Sequence, residues 1–281
     1  MFTPFIGIVS GALIAVFVSE ASLSYGIFLR ISLAAFAAAL LNGASNALNQ
    51  YYDVEIDRIN KPERPIVQGR ISKPQVLLIT IILYALVLIV SFFASNNPLQ
   101  TFILFLVASI LTIIYSAPPL RTKRLTWGSN LTIALARGFL LIVAGWSLIA
   151  SVNNIEPWIL GLVFGTFIFF LASTKDLGDV KGDKKFNIKT IPVVFGQQFT
   201  HRFISLGFVA PFIVLFILNL FGFLSADKNL INLLVCILLV WGSFLVFKLN
   251  KSKINHKSLW RQMYYVMMVF QVGLIIAYYY S

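Results

Sequence analysis

Charge is scarce in this chain, and acid is scarcer than base. Asp, Glu, Lys and Arg make up 11% of the 281 residues, with ten acidic against 22 basic side chains, while 59% of residues are hydrophobic. A soluble domain of average usage carries about 25% charged residues. A water-exposed globule is therefore excluded, and the mean hydropathy of +0.87 points to an integral membrane protein. Cysteine is nearly absent too. Cys236 stands alone in an apolar run, which rules out a disulfide framework and a cysteine metal site and reads as buried packing. The two histidines, His201 and His256, are far apart and lack partners at metal-ligand spacing. The charged n-region and small-residue cleavage site of a signal peptide are missing: Met1 leads almost directly into an apolar run, read here as a retained and slightly clipped span. No low-complexity linker or shift in composition divides the chain, so residues 1–281 are expected to form one domain.

What the sequence does have is apolar stretches long enough to cross about 30 Å of hydrocarbon, which takes about 20 helical residues each. Nine are expected, over Thr3–Val18, Ile27–Leu48, Gln75–Ser95, Leu99–Tyr115, Leu131–Ile149, Ile159–Thr174, Phe203–Leu224, Leu230–Phe247 and Tyr264–Tyr279. The fold class is all-α, a bundle of nine transmembrane helices around a central cavity. All but three of the 22 Lys and Arg residues fall in the loops after spans two, four, six and eight, the exceptions being Arg30, Arg137 and Lys228. By the positive-inside rule those loops are cytoplasmic, which puts the N-terminus inside and the C-terminus outside. The same rule accounts for the net charge of +12, so no nucleic-acid partner is expected.

Seven of the ten acids sit in two of the four basic loops. The first run is NQYYDVEID, Asn49 to Asp57, and the second is KDLGDVKGD, Lys175 to Asp183. On a helix turning about 100° per residue, Asn49, Asp53 and Asp57 lie within about 80° of one another. Asp176, Asp179 and Asp183 fall within about 60°, an arc that Gly178 and Gly182 loosen. Carboxylates four residues apart repel unless a cation joins them. Oxygen-only ligands suit Mg²⁺, which shares its shell with substrate phosphates, and the interleaved Arg58, Lys61, Arg64, Lys175 and Lys181 suit the remaining phosphate oxygens. Metal, anion and basic clamp together imply a diphosphate. The matching positions, four spans apart, also suggest two related four-span halves plus a ninth helix, with both acidic sets meeting across one cytoplasmic-side cavity. Ordinary loops whose acids pair with neighbouring bases are the simpler account of one such cluster, but a poor account of two in matching places.

These residues resemble a family. NALNQYYDVEIDRINKPERPI is similar to the first Asp-rich motif of the UbiA-type intramembrane prenyltransferase superfamily, KDLGDVKGDKKFNIKTIPVVFG to its second, and YSAPPLRTKR, Tyr115 to Arg124, to its Tyr-and-basic segment after the fourth span. The resemblance covers essentially the whole chain. It implies Mg²⁺-dependent transfer of a prenyl group from a polyprenyl diphosphate, such as geranylgeranyl diphosphate, to a lipophilic acceptor within the membrane. Carried over motif by motif, it assigns Asn49, Asp53, Asp57, Asp179 and Asp183 to metals and diphosphate, with Asp176 as an auxiliary ligand. Lys175, Arg64, Lys123 and Arg124 are assigned to phosphate oxygens, and Tyr115 to the diphosphate or the allylic cation. Arg137 joins the substrate-binding set because a guanidinium within a span is costly and usually faces a cavity or a carboxylate.

The acceptor is less legible. The phrase DRINKPERPI is shared by the branch that makes ether lipid from a prenylglyceryl phosphate and, closely, by the chlorophyll-synthase and homogentisate branches. YSAPPLR, the Arg137-Gly138 pair, and Ala172, Ser173 and Thr174 ahead of the second motif look more like the aromatic-acceptor branches, so an aromatic acceptor is the expectation. The chain also begins later than relatives that carry an N-terminal cytoplasmic helix. A cation transporter would place its acids inside the spans, whereas here they cluster at one face beside bases. Glu20, Glu156, Asp227, Lys228 and Arg30 read as solvated or interfacial charges. The expected location is the cell membrane, with the active-site loops in the cytoplasm.

Overall fold

The computed structural model describes residues 2–251 and 255–281; Met1 and Lys253 of the fourth basic loop lie outside the described residues. The described residues are helical, and local sequence explains where the helices begin. Helix α1 spans Phe2–Val18. The long α2, Tyr25–Asn60, starts where Ser24 accepts the Ile27 amide proton, and α3, Lys73–Phe93, starts on a reciprocal Ser72–Gln75 capping box with Pro74 in its first turn. Helix α4 is Pro98–Ser116. After a 3₁₀ turn at Thr122–Arg124, α5 (Thr126–Ala134) continues through a π-helical turn, Leu135–Phe139, into α6 (Leu140–Ser147). Helix α7, Glu156–Leu171, leads into two short helices, α8 (Ser173–Asp176) and α9 (Val180–Lys185). Then come α10 (Ile191–Gly207), α11 (Ala210–Leu220), α12 (Lys228–Asn250) and α13 (His256–Tyr279), the last two capped by Asp227 and Asn255.

Among the described residues eight helical stretches are long and apolar enough to cross a membrane, and the protein is an integral, multi-pass membrane protein. The expected count of nine is not reached. The first apolar helix, Pro4–Val18, is shorter than the others, about 22 Å at 1.5 Å per residue against about 30 Å of hydrocarbon. The expected seventh span also differs. Pro192 opens α10 well before Phe203, and the rod breaks between Gly207 and Ala210, so Arg202 lies inside a helix rather than in a loop.

Helix α1 is the seam of the bundle, packed against α2, α6 and α13. Its Ile8 and Ala12 join the core formed with α2, α3, α4 and α6. Its Ile14 and Ala15 join the second core, formed mainly by α7 and α10 to α13. The close approach of α1 to α6 depends on glycine. A Cβ on Gly145 would stand 2.3 Å from the Ile8 carbonyl oxygen, and one on Gly11 2.2 Å from that of Ile142. With no hydrophobic drive between helices in lipid, such small-residue contacts supply much of the association.

The loops at the end away from the acidic motifs are knit by uncharged hydrogen bonds. Ser95 Oγ and Asn97 Nδ2 donate to the Ser147 carbonyl oxygen at 2.9 and 3.2 Å, and Gln100 Nε2 donates to Ser151 Oγ at 3.2 Å. Glu156, expected to be solvated, is instead buried there. Its Oε1 accepts from Tyr278 OH at 2.5 Å and from the Ser225 amide at 2.7 Å, joining α7 to α13 and to the α11–α12 loop. A buried carboxylate needs such donors, and they come from segments more than 60 residues away in the chain, which no local pattern reveals. Cys236, expected to be buried, lies on the exposed face of α12.

Candidate active site

Because α2 runs unbroken to Asn60, Asn49, Asp53 and Asp57 stay in register on one face and line a cavity of about 690 Å³. The second motif is not the single helix that its spacing suggested. It turns at Leu177–Asp179 between α8 and α9, and that bend brings Asp176, Asp179 and Asp183 to the opposite wall of the same cavity. The two motifs are fastened directly. Asn60 Nδ2 donates to the Asp179 carbonyl oxygen at 3.1 Å, and the Gly182 amide donates to Asn60 Oδ1 at 3.0 Å.

Four of the five carboxylates are paired with cations. Asp53 accepts from Arg121 Nη2 at 2.8 Å and from Lys123; Asp57 accepts from Arg64; Lys61 Nζ donates to Asp179 at 2.5 Å; Lys175 lies 3.8 Å from Asp176. Lys175 also donates to Tyr115 OH at 2.7 Å and sits over its ring. Asp183 has no ion pair among the described residues. Burial, and then the nearby Asp176 and Asp179, push its carboxyl up to about 7. No three His, Cys, Asp or Glu side chains among the described residues form a metal-sized cluster.

Asn49, Arg64, Tyr115, Lys123, Lys175 and Arg137 also line the cavity. Arg124 does not; the residue is exposed, and its backbone is engaged instead, the amide donating to the Arg121 carbonyl oxygen and the carbonyl accepting from the Lys189 amide. Arg121 was not in the assigned set, although it lies in a motif that pointed to the site; Lys61 was among the interleaved bases expected at phosphate but not among the residues assigned by the resemblance. Arg121 takes a left-handed backbone (φ 40°) just before the 3₁₀ turn, from which its side chain reaches Asp53. The signal for Lys61 was its place four residues beyond Asp57. Asn60, Thr190, Trp260 and Tyr264 also line the cavity and carried no sequence signal, and His256 and Lys257 at the start of α13 lie in the same lining.

A profile of the UbiA prenyltransferase family matches residues 8–272. The chain is 29% identical over 255 residues to the digeranylgeranylglyceryl phosphate synthase of Methanosphaera stadtmanae, covering 88% of this chain and 85% of that protein. It is 32% identical over 171 residues to the chloroplast chlorophyll synthase of Arabidopsis thaliana, covering 59% and 44%. Among solved structures, a UbiA homolog from Archaeoglobus fulgidus bound to GPP and Mg²⁺ superposes with a TM-score of 0.72 at 20% identity, covering 98% of both chains. The apo structure of a UbiA homolog from Aeropyrum pernix superposes with a TM-score of 0.76 at 16% identity, covering 97% of both. At these identities the structures establish the fold.

Proposed function

The chain belongs to the UbiA prenyltransferase family, and from that premise we propose that it moves a prenyl group from a polyprenyl diphosphate to a lipid-soluble acceptor, using Mg²⁺ and the two Asp motifs as one site. The observation that carries this reading is the convergence of both acidic sets, with Lys61, Arg64, Lys123 and Lys175 among them, on one cavity at the ends of membrane-length helices. Diphosphate is excluded by hydrocarbon while an isoprenoid tail is not, and a site at this boundary suits both ends of the molecule.

The residues fit a hard divalent cation. The donors are all oxygen, and Asp176 Oδ2 is buried with no hydrogen-bond partner among the described residues. Asn49, Asp53, Asp57, Asp176, Asp179 and Asp183 would hold it. Bound there, Mg²⁺ supplies charge to offset what develops on the departing diphosphate. Arg64, Lys123 and Lys175 are proposed to take phosphate oxygens, each being released from its carboxylate as ligands arrive. Arg121 holds Asp53 in place from the outer side. Tyr115, steadied by Lys175, presents an aromatic face to the site where an allylic cation forms. Arg124, outside the cavity, is left out of the proposed set.

For the acceptor we retain the aromatic reading, supported by the motif phrases and by Tyr115, Trp260 and Tyr264 along the cavity. A prenylglyceryl phosphate is the second reading, supported by the 85% coverage of the Methanosphaera synthase. The proposed topology has the aspartate face in the cytoplasm, with α1 as a ninth, short membrane helix. Mass spectrometry of products formed from geranylgeranyl diphosphate and a panel of aromatic and prenylglyceryl acceptors tests the function; absence of any prenylated product would overturn it.

A further inference from the structure

Of the cations that line the cavity, Lys61, Arg64, Lys123 and Lys175 each have a carboxylate partner, whereas Lys257, exposed at the start of α13, and Arg137, within a span, have none among the described residues. Arg137 sits at the centre of the Thr126–Ser147 stretch, about 16 Å along the helix from its start. Its neighbours in the shared lining mark the same depth. Ser45 and Thr112 line both the main cavity and a narrow apolar chamber beyond it, as Arg137 does, and Ser45 is eight residues, or about 12 Å, from Asp53 along α2. The π-helical turn Leu135–Phe139 carries it. The wider turn brings the adjacent Ala136 and Arg137 both onto the cavity wall, a departure from α-geometry of the kind found at functional sites. No carboxylate is among its neighbours in the lining: Thr112 Oγ1 is already bonded to Tyr84 OH at 2.9 Å, and the charged group close enough to feel it is a cation, Lys175. A guanidinium at this depth without a carboxylate is expensive. Standing where the main cavity opens into the apolar chamber, it is placed to meet an anion carried on a largely apolar molecule whose body lies in that chamber.

Resting on the prenyltransferase reading, we propose that Arg137 selects the acceptor: it binds a carboxylate or phosphate carried by the lipophilic acceptor, below the layer where the diphosphate is held. The planar guanidinium accepts either anion in two-point contact. The sequence grouped Arg137 with the diphosphate cations. Its depth and its lack of a carboxylate separate it from them.

The test uses two matched pairs of acceptors, a dihydroxyphenylacetate bearing a long alkyl tail with its methyl ester and a prenylglyceryl phosphate with the corresponding alcohol, on wild type, Arg137→Met and Arg137→Lys. Binding is read by quenching of Trp260, which lines the cavity, with Trp260→Phe as the control, and transfer is read by product mass. Wild type should favour the charged member of at least one pair, and which pair tells carboxylate from phosphate. Arg137→Met should weaken binding and raise KM for that charged acceptor about 10- to 100-fold, the worth of a charge-assisted hydrogen bond. It should leave the neutral member and the KM for prenyl diphosphate within about threefold, and Arg137→Lys should recover part of the loss. Equal binding of both members of each pair by wild type, or a rise in the prenyl diphosphate KM matching that for the acceptor, would overturn the proposal. Charge-selective binding without any transfer would instead sink the prenyltransferase reading and leave this one standing.

Discussion

Asn60 and Gly182 lock the two acidic motifs together. The Gly182 amide donates to Asn60 Oδ1 at 3.0 Å, and a Cβ on Gly182 would stand 2.4 Å from that oxygen and 2.5 Å from Nδ2. Gly182→Ala should therefore push α9 away from α2 and lower kcat/KM for prenyl diphosphate by about 10- to 100-fold, a loss typical of sub-ångström misplacement in a site. Asn60→Ala removes the obstructing amide, so adding it to Gly182→Ala should restore part of the rate. No recovery in the double variant would mean that the clash is not what matters.

Asp179→Ala is the cleanest removal of a proposed metal ligand. Its only ion-pair partner among the described residues, Lys61, has a side chain about a third exposed, so folding should change by no more than about 1 kcal/mol while turnover falls at least about 100-fold. Asp53→Ala is a harsher change. It strands Lys123 and Arg121, both largely buried, and should cost about 3–5 kcal/mol of stability as well. Thermal melts beside single-turnover rates separate the two effects, and normal turnover by Asp179→Ala would show that its carboxylate serves structure only.

Metal and prenyl diphosphate should bind as a pair. Each carboxylate that turns to a metal leaves a cation unpaired, and each cation that turns to phosphate leaves a carboxylate unpaired, so either ligand favours the other, reciprocally. We expect the affinity for prenyl diphosphate to fall about 100-fold or more when EDTA replaces Mg²⁺, with metal affinity falling by the same factor without diphosphate. Calorimetric titrations in both orders measure this, and undiminished transfer in EDTA would remove the metal from the scheme.

Asp183, held up at about 7 by burial and by its carboxylate neighbours, binds its proton more tightly folded than unfolded, where the ordinary value is 3.8. By linkage its contribution is most favourable at low pH and is lost as pH rises from about 4 through 7. Metal-free protein should therefore gain melting temperature between pH 7.5 and 5.5, and Asp183→Asn should flatten that slope. An unchanged slope in the variant would assign the pH dependence elsewhere.

For topology, single cysteines placed at exposed Lys185 and at Glu20 in the α1–α2 loop should label from opposite sides with an impermeant thiol reagent, in a background where exposed Cys236 is replaced. Lys185 should react from the cytoplasmic side. Labelling of Lys185 from outside would invert the orientation.

What was legible in the sequence was what repeats. The stack of Asn49, Asp53 and Asp57 follows from an unbroken helical period, and eight of the expected spans follow from runs of hydrocarbon. The bend between Asp176 and Asp183 was only hinted at by Gly178 and Gly182, because whether a glycine bends a helix depends on what packs against it. Arg121 was hidden by a left-handed backbone that no residue preference signals, and Glu156 by partners supplied from Ser225 and Tyr278, far along the chain. Such groups are placed by tertiary contacts, and a linear reading sees only their charge.

The two ends of the bundle are fastened by different chemistry. At the far end Ser95, Asn97 and Ser147, and then Glu156, Ser225 and Tyr278, are stitched by short hydrogen bonds in which no ligand would compete. At the near end the Asn60 hydrogen bonds are joined by ion pairs, Lys61 to Asp179 and Arg64 to Asp57, for which metal and phosphate would compete. Ligands that compete for Asp57 and Asp179 therefore act on the fastenings of one end alone, and those of the far end hold whether the cavity is filled or empty.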